Sequence, residues 1–228
     1  MLSKFVDVWQ GRLALADETM PKLHAVLDQA ERQKAQLLKF PVSRNRFIAV
    51  RALLRQTLAG YLEVDPASLR FETGAFGKPH LACGSLQFNL SHTADHLLIA
   101  VANFPDVGID IESIQRRDRL DALATRVFSD RELSLWRQLP PEHQLMSFYR
   151  LWTKKEAFVK AVGRGIALGM ELCEFSLEPE GQVKAIPAEY GKASDWLVTE
   201  LEVSPDLKAA LVTACCDFEL HRREIRFV

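Results

Sequence analysis

Residues 107–114, VGIDIESI, set Asp110 and Glu112 into a run of β-branched aliphatics. In an extended chain successive side chains point to opposite faces. Val107, Ile109 and Ile111 therefore share one face and the two acids share the other. The fold must cover one face of this strand with an apolar layer. On the other face it must accommodate two like charges, each raising the pKa of its neighbour unless something positive stands between them. A cation from solution, a basic side chain or exposure at a sheet edge would each satisfy that condition.

Helical and extended patterns recur on both sides of Gly108. FVDVW alternates as a strand. Leu23, Val26, Leu27, Ala30 and Leu37 fall at helical spacing from Pro21 to Phe40, and a second helix is expected from an N-cap at Ser43 to about Leu62. LRFETG reads as a strand, and GAFGKPHL, with two glycines and a proline, as a loop. LQFNLSH, HLLIAVAN and VGIDIE follow as strands, the last two separated by FPD, a hairpin-length interval. Beyond Ser113 come the helix DRLDALATRVF and another opened by a capping box of Ser129 with Glu132. A long helix then runs from Pro140 and Pro141 to AVGRG, where Gly163 and Gly165 suit a C-cap. CEFSLE, QVKAI, DWLVTELEV, AALVTACC and REIRFV make a β-rich tail. The expected class is α+β, with an N-terminal α/β half over 1–107 packed on a C-terminal half over 108–228.

The 228 residues carry a net charge of −1, so no nucleic-acid or membrane partner is expected and any electrostatic recognition is local. No apolar run approaches the ~20 residues of a membrane span, and the start of the chain lacks the features of a signal peptide. Cys83, Cys173, Cys215 and Cys216 have no zinc-type spacing; they read as buried free thiols of a cytoplasmic protein.

The chemistry centres on SFYRLWTKKEAFVKAVGRG. Phe148, Leu151, Trp152, Phe158, Val159 and Val162 form its apolar face, with Glu156 at the margin and Lys160 one turn further on. Glu156 and Lys160 fit an exposed i, i+4 pair, worth a few tenths of a kcal/mol. They also fit a carboxylate aimed at another element, completing a three-acid site with Asp110 and Glu112. Three carboxylates without clustered cysteine or metal-spaced histidine favour a hard cation bound through oxygen. Mg²⁺ commonly takes its remaining ligands from substrate phosphates, so bases should stand nearby. Lys78 with Pro79, Lys155, Lys160, Arg46 and Arg51 supply them. Ser91 and His92 are adjacent in a strand and point to opposite faces, so they do not pair as nucleophile and base. There is no G-x-S-x-G elbow, P-loop or dinucleotide fingerprint.

FGKP, FNLSH, GIDIE and LWTKKEAFVKAVGRG, in that order, resemble the Sfp-type 4′-phosphopantetheinyl transferases, most strongly from Phe76 to Gly165. The resemblance implies two ferredoxin-like α/β halves related by a pseudo-twofold axis, with coenzyme A and Mg²⁺, or Mn²⁺ in its place, in the cleft between. It also implies a monomer acting on acyl, peptidyl or aryl carrier proteins. Asp110, Glu112 and Glu156 match the family's metal carboxylates, and Lys160 the lysine beside the pyrophosphate. Lys78 with Pro79, and Ser91 with His92, match coenzyme A contacts, while Arg46 and Arg51 match bases near the nucleotide. The implied reaction moves phosphopantetheine to a carrier serine and releases adenosine 3′,5′-bisphosphate, with Glu156, alone or through a metal-bound water, accepting the proton. Where many members carry a base for the 3′-phosphate, this chain has Gln36; Lys34, Lys39 and Arg44 are its possible replacements. Arg116, Arg117 and Arg119 are expected to meet the acidic helix of a carrier. A metal-dependent nucleotide phosphodiesterase, or a non-catalytic coenzyme A or carrier-binding module, would use the same groups.

Overall fold

A computed structural model describes residues 3–14, 16–179 and 181–225. The first half begins with strand β1 (Phe5–Arg12), followed by helices α1 (Met20–Ala25), α2 (Gln29–Leu37) and α3 (Pro41–Leu62). The short strands β2 (Phe71–Thr73) and β3 (Pro79–Leu81) precede the longer β4 (Gln87–Thr93) and β5 (His96–Ala102). The second half opens with β6 (Val107–Ser113), then α4 (Leu120–Val127), α5 (Asp130–Arg137) and α6 (Pro141–Val162). It continues through β7 (Glu174–Phe175), β8 (Val183–Ala185), β9 (Leu197–Leu201), β10 (Leu207–Thr213) and β11 (Glu219–Glu224).

Two principal sheets result, one ordered β11-β1-β5-β4 and one β6-β10-β9. All their pairings are antiparallel except β1 with β11, which is parallel, so the end of the chain completes the first half's sheet. On β5, Leu97, Ile99 and Val101 pack with Leu53, Leu54 and Leu58 of α3, while Leu98, Ala100 and Ala102 join Ile109, Ile111, Ala209 and Leu211 of the second sheet. Burial on both faces explains why HLLIAVA is apolar throughout. The far face of the second sheet, Val198, Ala210 and Val212, packs on Leu151, Phe158 and Val159 of α6. The layers are thus helix, sheet, sheet, helix, and each large side chain fully buried contributes about 1.5–3 kcal/mol of transfer free energy.

Several sequence expectations change. The helix expected over 21–40 is broken in two, because Asp28 and Glu31 form a capping box that starts α2: Glu31 N–H donates to Asp28 Oδ1 at 2.8 Å and Asp28 N–H to Glu31 Oε2 at 3.2 Å. Ser43 is not a cap; α3 starts at Pro41, whose fixed φ suits the first helical position. The loop expected over 74–81 ends in β3, which pairs with β2 around the turn at Gly77 (φ 91°). FPD is not a hairpin: β5 and β6 lie in different sheets, and Asp106, at φ 61°, turns the chain from one to the other. Cys83 and Cys216 are exposed rather than buried. The last strand occupies 219–224 and stops before Ile225; residues 226–228 of REIRFV lie outside the described residues. Among the described residues no helix is long and apolar enough to cross a membrane.

Candidate active site

Strands β4 and β6 run side by side along a seam joined by side chains rather than by a backbone ladder. Phe88 and Leu90 face α3, which turns Asn89, Ser91 and Thr93 toward β6. Asn89 Oδ1 accepts from Ile109 N–H at 2.9 Å, Thr93 Oγ1 accepts from Ser113 N–H at 3.3 Å, and Ser91 Oγ donates to Asp110 Oδ1 at 2.8 Å. The alternation NxSxT therefore satisfies an edge that would otherwise be left with unpaired polar groups.

Helix α6 covers the other side of β6 and comes close enough to exclude a side chain at position 108. A Cβ added to Gly108 would lie 2.0 Å from Ala157 O and 2.4 Å from Ala161 N. That contact brings Glu156 and Lys160 over the acids of β6. Gly108→Ala must push helix and strand apart, an overpacking cost of about 3 kcal/mol. At ~2–4 °C per kcal/mol for a chain of this length, the thermal midpoint is expected to fall by about 6–12 °C. An unchanged melting curve would mean that the close approach is not needed.

Lys160 Nζ lies 2.6 Å from Asp110 Oδ1, 3.0 Å from Ser91 Oγ and 3.3 Å from Ile109 O. A basic side chain, one of the three ways to accommodate the acids, is therefore in place. It serves only one oxygen: Asp110 is buried and its Oδ2 accepts no hydrogen bond. Glu112 is held above the ordinary carboxylate range, first by loss of water and then by Asp110, with Arg117 and Lys160 acting against the shift. Glu156 is raised for the same leading reason and then by Asp110 and Glu112, with Lys160 opposing. Among the described residues no three His, Cys, Asp or Glu side chains form a ready-made metal-ligand group. Lys160 stands within electrostatic reach of all three acids.

A cavity of about 410 Å³ continues from this cluster, lined by Phe47, Val50 and Arg51 of α3, by Phe76, Lys78 and Pro79, and by Leu90, Val159 and Lys160. Lys78 Nζ donates to Ala161 O at 2.7 Å and Val107 O at 3.1 Å, and burial lowers its pKa to about 8 against the pull of Asp106. Its stem packs over Gly163, the left-handed C-cap of α6 (φ 71°), where an added Cβ would lie 3.2 Å from Lys78 Cδ. The guanidinium of Arg164 sits 4.6 Å over the Phe76 ring and holds the loop. Arg51 stacks on Phe71 at 4.7 Å and pairs with Glu31 at 2.5 Å. His92 is exposed beside the seam; desolvation, then Arg46 and Lys160, lower its pKa.

The structure therefore gathers Asp110, Glu112, Glu156, Lys160 and Ser91, with His92 and Arg46 beside them and Lys78, Pro79 and Arg51 in the adjoining slot. Lys155 does not join them. It is fully buried in the second half's core, 2.6 Å from Glu132 Oε2 and donating to Met170 O and Cys173 O. One residue along a helix is a rotation of ~100°, enough to send Lys155 away from the face of Glu156. Arg44 is also committed elsewhere: its Nη2 and Nε donate to Leu38 O, at the end of α2, at 2.9 and 3.2 Å. Lys39 and Gln36 are exposed, and the Lys34 ammonium lies 5.4 Å over Phe47. Arg116 and Arg119 are exposed, while Arg117 Nε donates to Tyr149 OH at 2.9 Å. Sequence reasoning missed Asn89 and Gly108; the alternation FNLSHT and a glycine inside an aliphatic strand were the available signals.

The family model for the 4′-phosphopantetheinyl transferase superfamily matches residues 106–216. The chain is 38% identical to the 4′-phosphopantetheinyl transferase HetI of Nostoc sp. (strain PCC 7120), over 94% of this chain and 90% of that protein. It is 28% identical to the 4′-phosphopantetheinyl transferase Sfp of Bacillus subtilis (strain 168), over 94% of both chains. It is 39% identical to the 4′-phosphopantetheinyl transferase AcpT of Salmonella typhi, over 54% of this chain and 60% of that one. With a relative this similar along nearly its whole length, and with the seam, acids and slot described above, the chain belongs to the 4′-phosphopantetheinyl transferase superfamily.

Proposed function

We propose that this enzyme moves the 4′-phosphopantetheine arm of coenzyme A onto a serine of an acyl, peptidyl or aryl carrier protein, with Mg²⁺ or Mn²⁺, releasing adenosine 3′,5′-bisphosphate. The observation that carries the proposal is Asp110. Its carboxylate is buried, holds Ser91 and Lys160 through one oxygen, and leaves the other bare beside two carboxyls of raised pKa. A bare buried oxygen among mutually repelling acids suits a hard divalent cation, with Asp110, Glu112 and Glu156 as its protein ligands. Bound there, such an ion would neutralise charge on the diphosphate.

In this reading the slot between Phe47, Phe76 and Leu90 takes the nucleoside, with Lys78, Arg46, Arg51 and His92 arranged around the phosphates. Lys160 steadies the phosphate of the departing nucleotide. Among the described residues the buried serine at the site, Ser91, is already engaged as a donor to Asp110. The carrier brings the hydroxyl, and Glu156, alone or through a metal-bound water, accepts its proton. The remaining contribution is to hold two substrates in line.

The halves 1–107 and 108–228 act in this proposal as ferredoxin-like units about a pseudo-twofold axis. A sheet backed by one 22-residue helix in each half, α3 and α6, supports that relation. The protein is taken to work as a cytoplasmic monomer.

Arg116 and Arg119, exposed just beyond β6, suit the acidic helix of a carrier. Arg116→Glu combined with Arg119→Glu is expected to raise the carrier KM about five- to tenfold at low salt and less at high salt, leaving the coenzyme A KM unchanged. An unchanged carrier KM removes this surface from the docking site. The function itself is tested by incubating protein, apo-carrier, coenzyme A and Mg²⁺ and weighing the carrier intact. A carrier heavier by one phosphopantetheine is expected. Coenzyme A cleavage without an adduct points to a phosphodiesterase, and no change to a binding module.

A further inference from the structure

The reading of the acids as a metal site raises the question of what neutralises them beforehand, and the next step rests on that reading. The resident cation is Lys160, whose Nζ lies 2.6 Å from Asp110 Oδ1. One ammonium cannot balance three carboxylates, and it leaves Asp110 Oδ2 buried without a hydrogen bond. Yet a divalent ion approaching Asp110 Oδ2 must enter beside that ammonium, against its charge. Arg117 near Glu112, and Arg46 near His92, add positive charge on the other flanks. The same Lys160 lines the nucleotide slot, and its side chain is 27% exposed. Its flexible four-carbon stem can carry the charge from the acids to the slot without movement of the backbone.

We infer that Lys160 is an internal counter-ion that keeps the acid cluster closed to a divalent metal until the diphosphate of coenzyme A draws the ammonium off Asp110. The nucleotide then prepares the metal site, and metal and nucleotide bind with positive coupling. Thermodynamic reciprocity requires the coupling factor to be the same whichever ligand is added first.

The test is Mn²⁺ binding followed by electron paramagnetic resonance, with no carrier present and therefore no turnover. The parent protein is expected to bind Mn²⁺ at least about tenfold more weakly alone than with coenzyme A, within the usual ~5–150-fold range of such coupling. Lys160→Met should bind Mn²⁺ about tenfold more tightly than the parent when coenzyme A is absent. Lys160→Gln should do the same should methionine disturb the packing, whereas Lys160→Arg, which keeps the charge, should remain weak. If neither neutral variant binds more tightly than the parent, the counter-ion role is wrong and the metal site still stands. If Mn²⁺ is not bound by the parent even with coenzyme A, both ideas fail together.

Discussion

Replacing Glu156 by glutamine is expected to leave the fold intact and to lower turnover about a thousandfold, in the middle of the ~10²–10⁴ range for a positioned general base. The side chain keeps its shape and loses only the ability to accept a proton and carry charge. Because burial, Asp110 and Glu112 all favour the protonated form of Glu156, the ionised group is a cost to the metal-free fold. A carboxyl with a raised folded pKa binds more protons folded than unfolded, so its cost is largest above that pKa and fades as pH falls through it. Glu156→Gln should therefore be more stable than the parent at neutral pH without metal, and the gap should close on acidification. Denaturant melts at several pH values measure this directly. Near-normal turnover at saturating Mg²⁺, or a stability gap that widens as pH falls, would remove Glu156 from its assigned role.

Asp110→Asn is the second large effect. Asp110 is the point where the seam, the lysine and the acid cluster meet: it accepts from Ser91 and Lys160 through one buried oxygen. The amide keeps the volume and cancels the charge. Turnover is expected to fall about 10²–10³-fold, the loss typical when one preorganised electrostatic partner is removed. The fold should survive, since like-charge repulsion from Glu112 and Glu156 is relieved as Lys160 loses its partner. Near-ultraviolet circular dichroism should match the parent. If Asp110→Asn turned over normally, the cluster would have no part in the reaction; if it failed to fold, Asp110 would be structural first.

What could be read from the sequence was local. The alternation in VGIDIES gave the apolar face and the acid face of β6 because strand geometry repeats every two residues, and Val107, Ile109 and Ile111 do lie in the inter-sheet core. The capping box at Ser129 and Glu132 and the glycine stop at Gly163 follow from backbone groups within a few residues. The same kind of signal at Asp28 and Glu31 divides the single helix expected over 21–40 into two. What could not be read was non-local. Nothing within FPD says that the next strand leaves the sheet, since that depends on β10 and α6, many residues later. The use of Asn89 and Thr93 to serve the edge of β6 depends on how two sheets meet. Lys155 sits beside Glu156 in sequence, and its charge drew it into the expected site. Its burial against Glu132 instead ties α6 to the start of α5 and to the segment at Met170–Cys173.

The four ordered motifs carried the family because each falls on one wall of the same cleft. FGKP forms the slot, FNLSH the near side of the seam, GIDIE the far side, and the α6 motif its roof. Their order along the chain is readable, but their convergence is a property of the fold.

The claim on which the rest depends is that a divalent ion is gripped jointly by β6 and α6. The most direct test is anomalous diffraction at the manganese edge from crystals grown with coenzyme A and Mn²⁺. A single peak is expected within coordination distance of Asp110 Oδ2, with Glu112 and Glu156 oxygens completing the protein ligands and Lys160 turned to the diphosphate. A peak bound by coenzyme A alone, away from these three carboxylates and with Lys160 still on Asp110, would contradict the account.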